Sequence, residues 1–240
     1  MTDIVKKQND VTTSKPAVGS FKDRAAAAKA KGPVVPGNPD DPRASMLPNR
    51  IAFLLDHSGS MDGQNMDLLK QACEAFMNRC NARDTAIAIE TFPSPDELGY
   101  IRHGAARLLT SVYHVLRTDI TALDAEGGTP MDDAMRAAIT KNSLTRAVMV
   151  SDGQPDDPAK VYTQARDYKE RNVPIDCIHI GSGYGEEVMQ KVAEITGGIY
   201  MKFSDVSKLV GAFKYLTPAM RGLLVSGDIK ALTGADEVGK

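Results

Sequence analysis

Apolar residues in this chain fall into two patterns. Short continuous runs occur at 51–55 (IAFLL), 85–92 (TAIAIETF), 146–150 (RAVMV), 175–180 (IDCIHI) and 199–203 (IYMKF). Runs this short, and continuous rather than alternating, predict strands covered on both faces, as in a parallel sheet with helices on either side. Between them the apolar positions recur at helical spacing: Leu69, Ala72, Cys73, Phe76 and Cys80, then Val188, Val192 and Ile195, then Val206, Leu209, Val210 and Phe213. A further segment, 100–104 (YIRHG), follows the turn-rich PSPDELG and is read as a short antiparallel edge strand. Strand–helix alternation predicts an α/β fold with a doubly wound, mostly parallel six-stranded sheet, one short antiparallel edge strand and helices on both faces. In such a sheet, ligands gather at the loops beyond the carboxyl ends of the strands.

The flanks read differently. Residues 1–48 are polar, nearly free of aromatics, and include KGPVVPGNPDDPR, which cannot bury enough apolar area to offset chain entropy. Within this stretch FKDRAAAAKAK has helix propensity but no apolar stripe. It is expected to be a flexible or partner-ordered arm ahead of a domain at 49–216. Pro218 should stop or kink the preceding helix, leaving 217–240 as a C-terminal extension that either folds back or binds something.

Composition narrows the classes. With 42 % hydrophobic and 25 % charged residues and a net charge of −2, the profile is globular, with no general attraction to nucleic acid or an anionic membrane. No apolar stretch approaches the roughly 18 residues of a spanning helix, and MTDIVKKQND has no apolar h-region. The expected location is therefore the cytoplasm. Three cysteines without a signal argue against a disulfide framework, and Cys73 and Cys80 read as reduced core thiols. No CxxC or His/Cys cluster suggests zinc.

Candidate chemistry lies at the strand ends. The first strand runs into Asp56-His57-Ser58-Gly59-Ser60, the strand at 146–150 into Ser151-Asp152-Gly153, and the loop AEGGTPMDDA places Thr129 just before a helix. Adjacent strands of a parallel sheet lie about 5 Å apart, so Asp56, Ser58, Ser60, Thr129 and Asp152 can meet at one rim. All five offer oxygen. Hard divalent cations suit that set, Mg²⁺ above all, with Mn²⁺ and Ca²⁺ as the other choices. Five or fewer protein ligands leave an octahedral ion open to water or a foreign oxygen.

These motifs resemble the metal-ion-dependent adhesion site (MIDAS) of von Willebrand factor type A (vWA) domains: Asp-x-Ser-x-Ser in DHSGS, the Thr of the Gly-Gly-Thr loop, and the Asp of SDG. VPIDCIHIG and VAEITGGIYMKF also resemble the family's last strands and the helix between them. The resemblance implies a Rossmann-like vWA fold, metal ligation by these five residues, and capture of a partner's Glu or Asp carboxylate at the open position. For intracellular members it further implies work beside AAA+ ATPases of the MoxR or chelatase kind, or within multi-protein assemblies.

Plainer roles compete for single residues. Ser58 or Ser60 could cap the helix entered near Gln64, and Thr129 could cap the helix begun by Pro130 while still lending a lone pair to a metal. Asp132 and Asp133 read as first-turn acids favoured by the helix dipole. His57 should point away from Asp56 and Ser58; QPDDP (154–158) reads as a polar loop with Pro158 opening a helix. HIGSGYGEE falls short of a dinucleotide fingerprint because position 186 is Glu, and there is no phosphate-binding P-loop and no G-x-S-x-G elbow. The expectation is a non-enzymatic, Mg²⁺-dependent protein–protein interaction module, plausible as adaptor to an AAA+ ATPase. The alternatives are an assembly subunit of a particle or ribonucleoprotein whose metal only stabilises, and, at lower rank, a Mg²⁺-dependent hydrolase.

Overall fold

The computed structural model describes residues 47–79, 85–93, 103–108, 116–118, 120–141, 143–181, 185–213 and 226–239. The strands are β1 (Asn49–Asp56), β2 (Thr85–Phe92), β3 (His103–Leu108), β4 (Arg146–Ser151), β5 (Ile175–Ile180), β6 (Tyr200–Phe203) and β7 (Glu237–Gly239). Helices among the described residues include α1 (Gln64–Met77), α2 (Met131–Lys141), α3 (Pro158–Glu170), α4 (Glu186–Thr196) and α5 (Ser226–Thr233). One sheet takes the order β3-β2-β1-β4-β5-β6-β7. Its five central strands are parallel, with β3 antiparallel to β2 at one edge and β7 antiparallel to β6 at the other.

The central strands match the continuous apolar runs because both faces are covered. On one face Phe53 meets the ring of Phe76 from α1 edge-on at 5.0 Å and stacks on Phe213 at 6.5 Å. On the other face Ala52 and Leu54 join the buried side chains of α2, α3 and α4, including Met135, Tyr168 and Val192. Every residue of β2 is buried. Cys73 and Cys177 are buried free thiols, whereas Cys80 lies outside the described residues.

The structure departs from the sequence expectation at both edges. Among the described residues seven strands form the sheet rather than six, because the end of the 217–240 segment returns as β7, anchored by Asp236 N–H to Lys202 C=O at 2.8 Å. Ala235 is buried in the core beside it, so the sheet extends past residue 216. The antiparallel edge strand expected at 100–104 is found at His103–Leu108; residues 100–102 lie outside the described residues, as does the arm up to residue 46. The described residues fall within one unit, Val34–Lys240, and among them no helix is long and apolar enough to cross a membrane.

Candidate metal site at the carboxyl rim of the sheet

The central strands β1, β4 and β5 all point their carboxyl ends to the same rim. Asp56, the last residue of β1, is fully buried. Its Oδ1 accepts the Ser58 amide at 2.8 Å, and its Oδ2 accepts the hydroxyl of Ser151, the last residue of β4. Burial pushes the Asp56 carboxyl up to about 6, against the lowering effect of the Ser151 and Ser58 hydrogen bonds. Among the described residues no lysine or arginine pairs with it.

A chain of oxygens runs outward from this buried acid. Ser58 Oγ lies 3.1 Å from Ser60 Oγ, and Ser60 Oγ donates to Asp152 Oδ1 at 2.7 Å. Asp152 Oδ2 accepts from Asn65 Nδ2, in the first turn of α1, at 3.2 Å. Thr129 enters from the loop before α2. A methyl carbon built on Gly153 would stand 3.5 Å from Ser60 Oγ, 3.8 Å from Thr129 Oγ1 and 3.9 Å from Asp56 Oδ2. Glycine thus leaves open a cradle faced by three oxygens, two from the end of β1 and its loop and one from the loop before α2.

The loops are locked by their backbones. Gly59 N–H donates to Gly127 C=O at 3.2 Å and Asp156 N–H to Thr129 C=O at 3.1 Å, while Thr129 N–H returns to Asp156 Oδ1 at 3.2 Å. Gly185, ahead of α4, packs so closely on the Asp152 loop that a methyl carbon there would fall 1.9 Å from the Gly153 carbonyl oxygen.

The structure therefore brings Asp56, Ser58, Ser60, Thr129 and Asp152 together, and the capping roles do not account for the serines. The N-cap of α1 is Gly63 with no side-chain cap bond, and Ser58 makes none at the short 3-10 turn Gly59–Met61. His57 turns away, with Nδ1 3.0 Å from Asp124 C=O and Nε2 2.8 Å from Pro93 C=O. In the 154–158 loop, Asp157 caps α3 through the Ala159 and Lys160 amides, and Pro158 opens the helix. Asp132 and Asp133 occupy the first turn of α2.

Three contributors carried no recognisable signal. Ser151 holds Asp56, Asn65 holds Asp152 and Asp156 fixes the Thr129 backbone; each acts behind the five oxygens, where a single polar residue looks like any other. Among the described residues no three His, Cys, Asp or Glu side chains gather as a metal site. This cluster has two carboxylates, and its remaining donors are hydroxyls.

The von Willebrand factor type A domain model matches residues 49–202, which covers more than half of the chain. The chain belongs to the von Willebrand factor type A domain family. Among curated relatives, an uncharacterised Synechocystis protein is 25 % identical over 189 residues, 72 % of this chain and 42 % of its own length. A UPF0353 protein of Mycobacterium leprae is 30 % identical over 106 residues, 36 % of this chain and 32 % of its own. The chain thus spans less than half the length of these relatives.

Solved vWA structures share the fold. A von Willebrand factor type A protein from Catenulispora acidiphila superposes with TM-score 0.59 at 22 % identity, covering 71 % of this chain and 42 % of that one. Proximal thread matrix protein 1 from the mussel byssus, in a form with a zinc-occupied MIDAS motif, gives 0.52 at 19 % identity over 70 % of this chain and 45 % of its own. At these identities the likeness is one of fold. vWA domains are in general protein-interaction modules.

Proposed function

We propose that Asp56, Ser58, Ser60, Thr129 and Asp152 hold Mg²⁺, and that the bound ion captures a Glu or Asp carboxylate of a protein partner. The observation that carries this reading is the cradle over Gly153, where oxygens of Asp56, Ser60 and Thr129 face one point within 3.9 Å. The oxygen spacings support it. Neighbouring corners of a Mg²⁺ octahedron with bonds of about 2.1 Å stand about 3.0 Å apart. The 3.1 Å Ser58–Ser60 and 2.7 Å Ser60–Asp152 separations are close to that edge length.

When bound, the ion supplies a Lewis-acidic position open to a foreign oxygen. The chain's own residues do the rest. Two carboxylates and neutral hydroxyls leave the ion electrophilic, Ser151 and Asn65 orient the carboxylates, and the paired loops hold the donors in place before metal arrives. Preorganised second-layer partners of this kind commonly set metal affinity. We read the module as one that binds rather than turns over. An adaptor role beside a MoxR- or chelatase-like AAA+ ATPase, in the cytoplasm, is the cellular setting we favour.

Affinity capture from the native cell tests this, with wild type and Asp56→Ala bait, each in Mg²⁺ and in EDTA. The reading expects a partner retained only by wild type in Mg²⁺. A complex that survives both EDTA and the substitution would favour an assembly subunit with a merely stabilising metal.

A further inference from the structure

We infer that the rim selects a partner whose metal-capturing carboxylate stands alone in a basic surface, a glutamate or aspartate flanked by lysines and arginines. This rests on the metal-site reading above and adds what the neighbourhood of the ion would accept. The stretches 56–69, 121–135, 151–159 and 185–190 contain twelve aspartates and glutamates, and the four cations that directly follow them are Lys70, Arg136, Lys160 and Lys191. The topology gathers all four stretches at the same end. They follow β1, precede and open α2, follow β4 and follow β5. Backbone contacts tie them together, from Gly59 to Gly127, Thr129 to Asp156 and Gly185 to Gly153.

Among the described residues, several other cations sit away from the rim. Arg50 and Arg146 lie at the amino ends of β1 and β4, Arg171 just after α3, and Lys141 and Lys169 in the last turns of α2 and α3. Helices that run antiparallel to the strands put those last turns at the amino end of the sheet, where a cation also meets the favourable end of the helix dipole. Cations nearer the rim are matched by acids: Arg136 pairs with Asp133, Lys160 lies 3.6 Å from Asp157, and Lys202 pairs with Glu186. A divalent ion offsets the two acids that ligate it, Asp56 and Asp152. Beyond these pairs, acids still outnumber cations among the described residues of the rim, and Asp62 and Asp156 there are exposed.

Charges within a Debye length of about 8–10 Å are felt by an incoming surface. A partner rich in acids would meet the ion's attraction but also the rim's repulsion. A lone carboxylate among bases would be drawn by both, since like-charge juxtaposition penalises wrong partners and complementary charge speeds encounter. The acids do not make the site; the oxygen cradle does, and the acids set what approaches it.

The test uses the full chain with Mg²⁺ and three synthetic peptides of equal length: one glutamate flanked by lysines, one glutamate flanked by aspartates, and the lysine peptide with its glutamate changed to glutamine. Wild type is expected to bind the first at least about tenfold more tightly than the other two, only with Mg²⁺, and with a preference that narrows as salt rises. Asp62→Lys should shrink that preference. Equal binding of the two glutamate peptides, with Mg²⁺ uptake verified by calorimetry, would overturn the charge rule and leave the metal reading standing. Equal binding of the glutamine peptide would reduce the rim to a non-selective acidic patch for basic peptides and overturn it as well. Absence of Mg²⁺ uptake would instead remove the reading on which this rests.

Discussion

Ser60 Oγ donates to Asp152 Oδ1 at 2.7 Å, closing a contact between residues 92 positions apart. That bond joins the loop after β1 to the loop after β4, and Asn65 secures its far side by donating to the other carboxylate oxygen at 3.2 Å. Asp152 is therefore held from two directions, neither of them a positive charge.

Asn65 is the first lever. Asn65→Leu removes the donor to Asp152 and leaves α1 otherwise intact, so thermal stability should stay within about 1 kcal/mol of wild type. Mg²⁺ affinity should drop about tenfold or more, as for other residues that orient ligands. Isothermal calorimetry reads the affinity, and a melt followed by circular dichroism reads the fold.

Gly153→Ala separates the metal site from the fold. The added methyl would meet oxygens only at 3.5–3.9 Å, ordinary contact distances, so the metal-free domain should melt within a few degrees of wild type. The same methyl intrudes on the cradle, and the Mg²⁺-induced rise in Tm should vanish. Gly185→Ala has the opposite profile. Its methyl would overlap the Gly153 carbonyl, and the cost should be about 1–3 kcal/mol even without metal.

Acidity offers a test with a defined sign. In the metal-free chain Asp56 is raised from its ordinary 3.8 to about 6, because burial disfavours the carboxylate. The folded state then holds the proton more tightly than the unfolded state, so this group's stabilising contribution is full below about pH 4 and is lost as pH rises through about 6. The loss is at most about 3 kcal/mol. Asp56→Asn should remove that slope. In saturating Mg²⁺ the trend reverses for wild type, since the ion needs the carboxylate, and stabilisation by metal should grow between pH 5 and 7. Melts at several pH values, with and without Mg²⁺, read both trends.

The parts of this protein legible in its sequence were those written as patterns. Continuous apolar runs marked β1, β2, β4, β5 and β6 because strands covered on both faces leave no polar alternation. The oxygen-bearing residues at 56–60 stood out because a turn needs fewer of them. β7 was hidden: EVG is three residues at an edge, with no run to read, and its pairing depends on where α5 and Gly234 deliver it. β3 was displaced because YIRHG and HGAARL are equally plain as edge strands. Ser151, Asn65 and Asp156 were invisible for a different reason. Their meaning lies in which carboxylate or amide they touch, and contacts between distant loops leave no local spacing.

β7 itself can be tested by deletion. Removing 234–240 strips the antiparallel partner from β6 and uncovers the site of buried Ala235, at a cost of about 1–3 kcal/mol. The unpaired β6 edge should also raise concentration-dependent association. A melt and light scattering over a dilution series measure the two effects.

The most direct measurement is a calorimetric titration of the purified chain with Mg²⁺, repeated with Asp56→Ala. The account predicts saturable uptake of one ion by wild type, none by the variant, and tighter uptake when a carboxylate-bearing peptide is present. Wild type that takes up neither Mg²⁺ nor Mn²⁺, with or without that peptide, would contradict it.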